Sequence, residues 1–120
     1  MSEQHHLADE DYKVACTGYP KGIQYRVEDP MNGLSYDFDG FVDGHLVWTI
    51  ADYTRQFDGA GPVEGGLEGA YRDSAGLQNA VRQGYPVTWF VQRAADANRL
   101  RAMIEDAGYS SIFVRHLPIE

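Results

Sequence analysis

The dipeptide Asp43-Gly44, set between the strand-like runs Leu34–Val42 and His45–Ala51, constrains the fold of this chain more than any other feature. An Asp-Gly pair readily supplies the positive φ angles that a two-residue hairpin turn requires. A turn this short also sets the register. Val42 pairs with His45, Asp39 faces Trp48, and Asp37 faces Ile50. Side chains alternate along a strand, so these last four are expected on one side of the sheet, with Phe38 and Thr49 on the other.

Other elements follow from periodicity and punctuation. Ile23, Tyr25 and Val27 alternate with Gln24, Arg26 and Glu28, as in a half-buried strand, and Asp29-Pro-Met-Asn-Gly33 breaks it. The third strand of this front meander, His45–Ala51, is apolar enough to lie centrally. Tyr53–Gly69 is glycine-rich and reads as a loop, longer than compact domains usually carry without a functional reason. A helix is expected from Leu67 to Gln83, stopped by Gly84, then a strand over Pro86–Gln92. Asp96–Ala107 carries a helical stripe of Leu100, Met103, Ile104 and Ala107, ended by Gly108. Ser111–Leu117 is the last strand, closed by Pro118. The order βββ-α-β-α-β implies an α/β or α+β fold, a mixed sheet flanked by helices.

A chain of 120 residues fits one domain. Residues 1–12 read as a flexible acidic lead, with Glu3, Asp9, Glu10, Asp11 and the pair His5-His6, and residues 13–120 as the domain. No apolar run approaches a membrane span, and the polar start is not a signal peptide, so no membrane role and a cytoplasmic location are expected. The single Cys16 excludes an internal disulfide and suits a small buried residue better than a nucleophile. Ten Lys and Arg against eighteen Asp and Glu leave a net charge of −8, which opposes phosphate neutralisation on DNA and suits a basic protein partner or plain solubility.

The hairpin has the frame of a metal-dependent nuclease site. Such a site needs carboxylates from neighbouring strands to hold magnesium and a lysine to stabilise charge. An Asp…Glu-x-Lys triad would converge at positions 39, 48 and 50. This chain has Asp39, then Trp48 and Ile50, neither of which binds a metal or donates a charged hydrogen bond. Asp37 and Asp43 are possible auxiliary ligands, although Asp43 is accounted for by the turn and Asp37 by a solvated strand face. His45 and His116 lack a companion carboxylate and nucleophile. Trp48 and Ile50 are expected to pack under the long loop.

Thr17-Gly18-Tyr19-Pro20, Phe38-Asp39-Gly40, Leu46-Val47, Gln78 and Gln83, Trp89, and the segment Leu100–Pro118 occur in an order and spacing that resembles the restriction-endonuclease-fold toxins of bacterial polymorphic toxin systems, in the group numbered five. The resemblance spans residues 14–118. It implies a restriction-endonuclease-like core and, in typical members, magnesium-dependent DNA cleavage in a rival cell after type VI or related secretion. Asp39 is the one catalytic acid that carries over, with Asp37 a metal ligand beside it only if the site is active. Trp48 stands at the family's Glu and Ile50 at its Lys, and Leu46-Val47 begins the strand that normally continues into them. Gln78, Arg82 and Gln83 would line a substrate cleft.

Three functions follow. The first is a non-catalytic relative that acts in interbacterial competition by binding protein, as an immunity-like or regulatory domain, with a cognate toxin, immunity or secretion component as partner and no cofactor. The second is an active DNase toxin with Mg2+, a DNA partner and delivery to a rival cell, drawing on Glu64, Glu68 or Arg82 for the missing groups. The third is a structural or oligomerising domain.

Overall fold

The computed structural model describes residues 6–58 and 65–119. Its elements run α1 (Asp9–Thr17), β1 (Tyr25–Asp29), β2 (Leu34–Phe38), β3 (Gly40–Val42), β4 (His45–Ile50), α2 (Gly66–Val81), β5 (Val87–Val91), α3 (Ala94–Ala107) and β6 (Ile112–His116). The fold is mixed α/β, with a two-stranded antiparallel sheet β1-β2 and a four-stranded mixed sheet in the order β3-β4-β5-β6. No helix among the described residues is long and apolar enough to cross a membrane.

The first correction concerns the N-terminal side. Asp9, Glu10 and Asp11, read above as a solvated lead, form the first turn of α1, where negative charge complements the helix dipole. The helix closes at Gly18, whose φ of 74° lets its N–H reach the Val14 carbonyl. Tyr12 is fully buried, and its hydroxyl donates to the Leu117 carbonyl at 2.6 Å. Residues 9–12 are thereby tied to the far end of the chain.

The second correction concerns the hairpin. Its turn and first pairs are as expected: Val42 faces His45, and Asp43 and Gly44 take φ of 52° and 81°. The expected strand Leu34–Val42, however, breaks at Asp39. Gly40 pairs with Val47, while the Asp39 N–H also donates to the Val47 carbonyl at 2.9 Å. Two residues against one is the arrangement of a β-bulge, which bends the strand and re-aims a side chain. Beyond the bulge, β2 leaves β4 and pairs with β1, so Asp37 faces Arg26 and not Ile50.

Along β4 the alternation sorts two faces. Leu46, Trp48 and Ile50 enter the main apolar core with Phe38, Tyr71, Trp89, Leu100 and Ile104, beneath α2 and α3. Val47 and Thr49 point to the opposite face. A Cβ on Gly40, which pairs with Val47, would meet Thr17 of α1 at 3.0 Å, so α1 covers that side. Trp48 packs edge-on against Trp89 at 4.7 Å between centroids and lies 6.2 Å from the Phe57 ring. Core and loop thus both cover it. Burial of side chains this large dominates the stability of such a core.

α2 is shorter than its periodicity suggests. It ends at Val81, and Gln83 lies beyond it with φ of 56°. There its side-chain amide donates to the Glu28 carbonyl at 2.6 Å, tying the β1-β2 sheet to the end of α2. Of the Tyr53–Gly69 loop, Tyr53–Asp58 forms turns and Gly66 already belongs to α2, while Glu64 lies outside the described residues.

Candidate functional site around Asp39

The bulge places Asp39 on the α1 face. Its carboxylate oxygen Oδ2 accepts from the Thr49 N–H at 2.7 Å and from the Thr49 hydroxyl at 2.8 Å. Only 8% of the residue is exposed. Burial pushes its pKa above the usual carboxylate range, a rise opposed first by the two Thr49 hydrogen bonds and then by the positive charge of Lys13. The positions opposite it in simple hairpin register, Trp48 and Ile50, lie on the other side of the sheet in the apolar core. The expected common face of Asp39, Asp37, Trp48 and Ile50 therefore does not form.

Sequence reasoning missed Lys13 because it left residues 1–12 outside the domain and so missed the helix. On α1, one turn beyond Glu10, the lysine is 6% exposed and its Nζ lies 3.1 Å from the Glu10 carboxylate. Glu10 also adds negative charge near Asp39 and helps raise its pKa, after burial. Thr17 and Tyr19 complete the neighbourhood. The Tyr19 hydroxyl accepts from the Phe41 N–H at 3.2 Å, and the Thr17 methyl stands over Gly40. Two sequence motifs distant in the chain, Thr17–Pro20 and Phe38–Gly40, are thus packed together at the bulge.

The remaining candidates disperse. Asp37 is held by Arg26 at 2.8 Å on the β1-β2 sheet, and that bond keeps its pKa low. Asp43 is an exposed turn residue. Gln78 is fully buried and accepts from the Trp89 indole N–H at 2.7 Å, so it orders the core. Gln83 binds Glu28 as described, and the Arg82 guanidinium donates to the Tyr85 carbonyl at 3.1 Å. Arg82 and Gln83 line one pocket of about 280 Å³ with Asp29, Asn79 and Gly84, while Gln78 is buried in the core and does not join them. Glu68 is paired with Arg72 at 3.3 Å. His45 Nδ1 shares a hydrogen bond with the Thr88 hydroxyl at 2.9 Å. Half-buried Cys16 has its thiol pKa pushed up to about 11, chiefly by burial, which suits a packing residue rather than a nucleophile.

Among the described residues, no three His, Cys, Asp or Glu side chains converge as a metal-binding group. Thr49 holds the buried Asp39 carboxylate, and the Lys13–Glu10 pair of α1 acts on it through charge alone. No protein-family model matches the chain, and no curated protein or solved structure matches it.

Proposed function

We propose that this chain is a non-catalytic protein-binding domain of the nuclease-toxin-like kind that its sequence resembles, acting in an immunity-like or regulatory role within a polymorphic toxin system. One observation carries the non-catalytic part. Asp39 has one carboxylate oxygen engaged by Thr49, while Trp48 and Ile50 are buried across the sheet from it. Metal-dependent hydrolysis needs ligands convergent on one ion and an open position for water and substrate. Substituting Glu and Lys at positions 48 and 50 would place those charges in the aromatic core, not beside Asp39. A binding role also accommodates the net charge of −8, which opposes casual association with DNA.

A second reading, a magnesium-dependent DNase, is favoured by one specific feature: the Glu10–Lys13 ion pair of α1 lies near enough for both charges to act on Asp39. Against it, Lys13 is paired with Glu10 and Asp39 is largely buried. Incubation of the purified protein with supercoiled plasmid and Mg2+ or Mn2+, with EDTA as control, separates the readings. The binding reading expects no EDTA-sensitive nicking. Nicking that disappears in Asp39→Asn and Lys13→Ala would establish the DNase.

A further inference from the structure

Among the described residues, β6 borders the four-stranded sheet with β5 on one side and no strand on the other. The ladder to β5 engages alternate residues: Val87 N–H donates to the Ser111 carbonyl at 2.9 Å, and Leu117 N–H donates to the Val91 carbonyl at 2.9 Å. By that alternation Ser111, Phe113, Arg115 and Leu117 face β5, and Ile112, Val114 and His116 turn their backbone groups outward. Two of these outward groups are already used. Ile112 N–H reaches the Tyr109 carbonyl at 3.2 Å, and the Arg101 guanidinium caps the Val114 carbonyl at 3.3 Å. The Val114 and His116 N–H groups face out from the sheet.

Beside this edge runs a groove of about 600 Å³, lined by Arg101, Ile104, Glu105, Tyr109, Phe113 and Arg115 among others. Phe113 is 45% exposed although it is a strand residue. The charges there are distinctive. Six of the ten Lys and Arg side chains are paired with a carboxylate, namely Lys13, Lys21, Arg26, Arg55, Arg72 and Arg93. Of the four without such a pair among the described residues, Arg101 and Arg115 lie on this groove, whereas Arg82 lines another pocket and Arg99 lies over the Tyr53 ring. Among the described residues Glu105 is the one acid in the lining, so that lining is net positive on a chain of net charge −8.

We propose that the β6 edge and its groove take an extended, acidic peptide segment of a protein partner, added to the sheet as one more strand. This rests on the protein-binding reading above and names its surface and the chemistry of its partner. Strand addition of this kind draws affinity from main-chain hydrogen bonds and specificity from alternate side chains. Carbonyls of the incoming segment accept from the Val114 and His116 N–H groups. Its side chains alternate across the sheet, so neighbouring acids reach Arg101 on the α3 face and Arg115 on the opposite face. Arg101 exchanges the Val114 carbonyl for a carboxylate, which frees that carbonyl to accept from the added strand. A second copy pairing edge to edge is the poorer occupant, since its β6 edge brings arginines and not carboxylates towards Arg101 and Arg115.

The probe is a fluorescein-labelled peptide of about ten residues, the length of a long natural strand, rich in valine and threonine with a central Asp-Glu pair. It is compared with the same peptide carrying a Lys-Lys pair and with one N-methylated at alternate backbone positions. The acidic peptide is expected to bind roughly tenfold more tightly than the lysine peptide, about what two partly exposed ion pairs supply. N-methylation abolishes binding, and binding slows exchange of the Val114 and His116 amides. Arg101→Glu with Arg115→Glu, at positions outside the core, reverses the preference between the acidic and lysine peptides. Equal binding of both peptides, binding that leaves those two amides unchanged, or a dimer that buries β6 without peptide would overturn the proposal. Amide protection by the acidic peptide together with DNA cleavage would retain the β6 site and remove the non-catalytic reading. Absence of both would do the reverse.

Discussion

Replacing Asp39 with asparagine or with alanine separates a structural carboxylate from a catalytic one. The carboxylate accepts two hydrogen bonds from Thr49, one from a buried backbone N–H. Alanine leaves that N–H without a partner in a site where the parent residue is 8% exposed, a loss of about 1–3 kcal/mol. For a chain of 120 residues each kcal/mol corresponds to roughly 3–5 °C in Tm, so Asp39→Ala is expected to melt about 3–15 °C below the parent. Asparagine keeps an acceptor oxygen of the same reach and removes the charge that burial disfavours, so Asp39→Asn is expected to be as stable as the parent at pH 7, or more stable.

The sign with pH follows from the raised pKa. The folded state holds this proton more tightly than the unfolded chain. The contribution is fully present below the ordinary carboxylate pKa and is lost as pH rises through the raised folded value. Asparagine does not titrate, so its stability relative to the parent should increase as pH rises from about 4, near the ordinary aspartate pKa, towards neutrality. Urea unfolding followed by circular dichroism at several pH values reads both effects. An Asp39→Asn protein less stable than Asp39→Ala, or a relative stability that falls with rising pH, would refute the reasoning. It would mean that attraction to Lys13 outweighs desolvation.

Three further substitutions test the frame. Tyr12→Phe removes the hydroxyl that satisfies the Leu117 carbonyl and should cost about 1–2 kcal/mol in urea unfolding, whereas no change would mean that α1 is not docked there. Trp48→Glu puts a charge among Trp89, Tyr71 and Tyr36 and should cost more than about 4 kcal/mol, near the whole stability of a small domain; a folded variant that binds Mg2+ would contradict the assignment of Trp48 to the core. Gly40→Ala sets a methyl 3.0 Å from the Thr17 side chain and should cost about 1–3 kcal/mol, partly recovered with Thr17→Ser; a neutral Gly40→Ala would show that α1 yields easily over the bulge.

The local turn chemistry was legible in the sequence. Asp43-Gly44 fixed the pairing of Val42 with His45, and Gly108 marked the end of α3, because positive φ at these positions is a local requirement. The bulge at Asp39 had one local sign, Gly40 within a strand run, which fits a bend whose backbone donors the acid satisfies but does not say which residues are set against Val47. That one irregularity moved Asp39 to the other face and separated it from Asp37, so the site expected from strict alternation is absent. α1 was hidden for a different reason. Its sequence reads as a polar acidic lead, and its anchor, Tyr12 to Leu117, spans nearly the length of the chain. The Lys13–Glu10 pair of α1, whose charges act on Asp39, was hidden with it. The open β6 edge follows from strand order, which no single stretch of sequence encodes.

The most direct test of the account is plasmid cleavage by the parent protein and Asp39→Asn, purified side by side with Mg2+ or Mn2+ and an EDTA control. Because Asp39→Asn should fold at least as well as the parent, a difference in cleavage between them reports chemistry and not stability. The account predicts intact supercoiled plasmid with both proteins at every metal concentration. EDTA-sensitive nicking by the parent that is lost in a fully folded Asp39→Asn would contradict it.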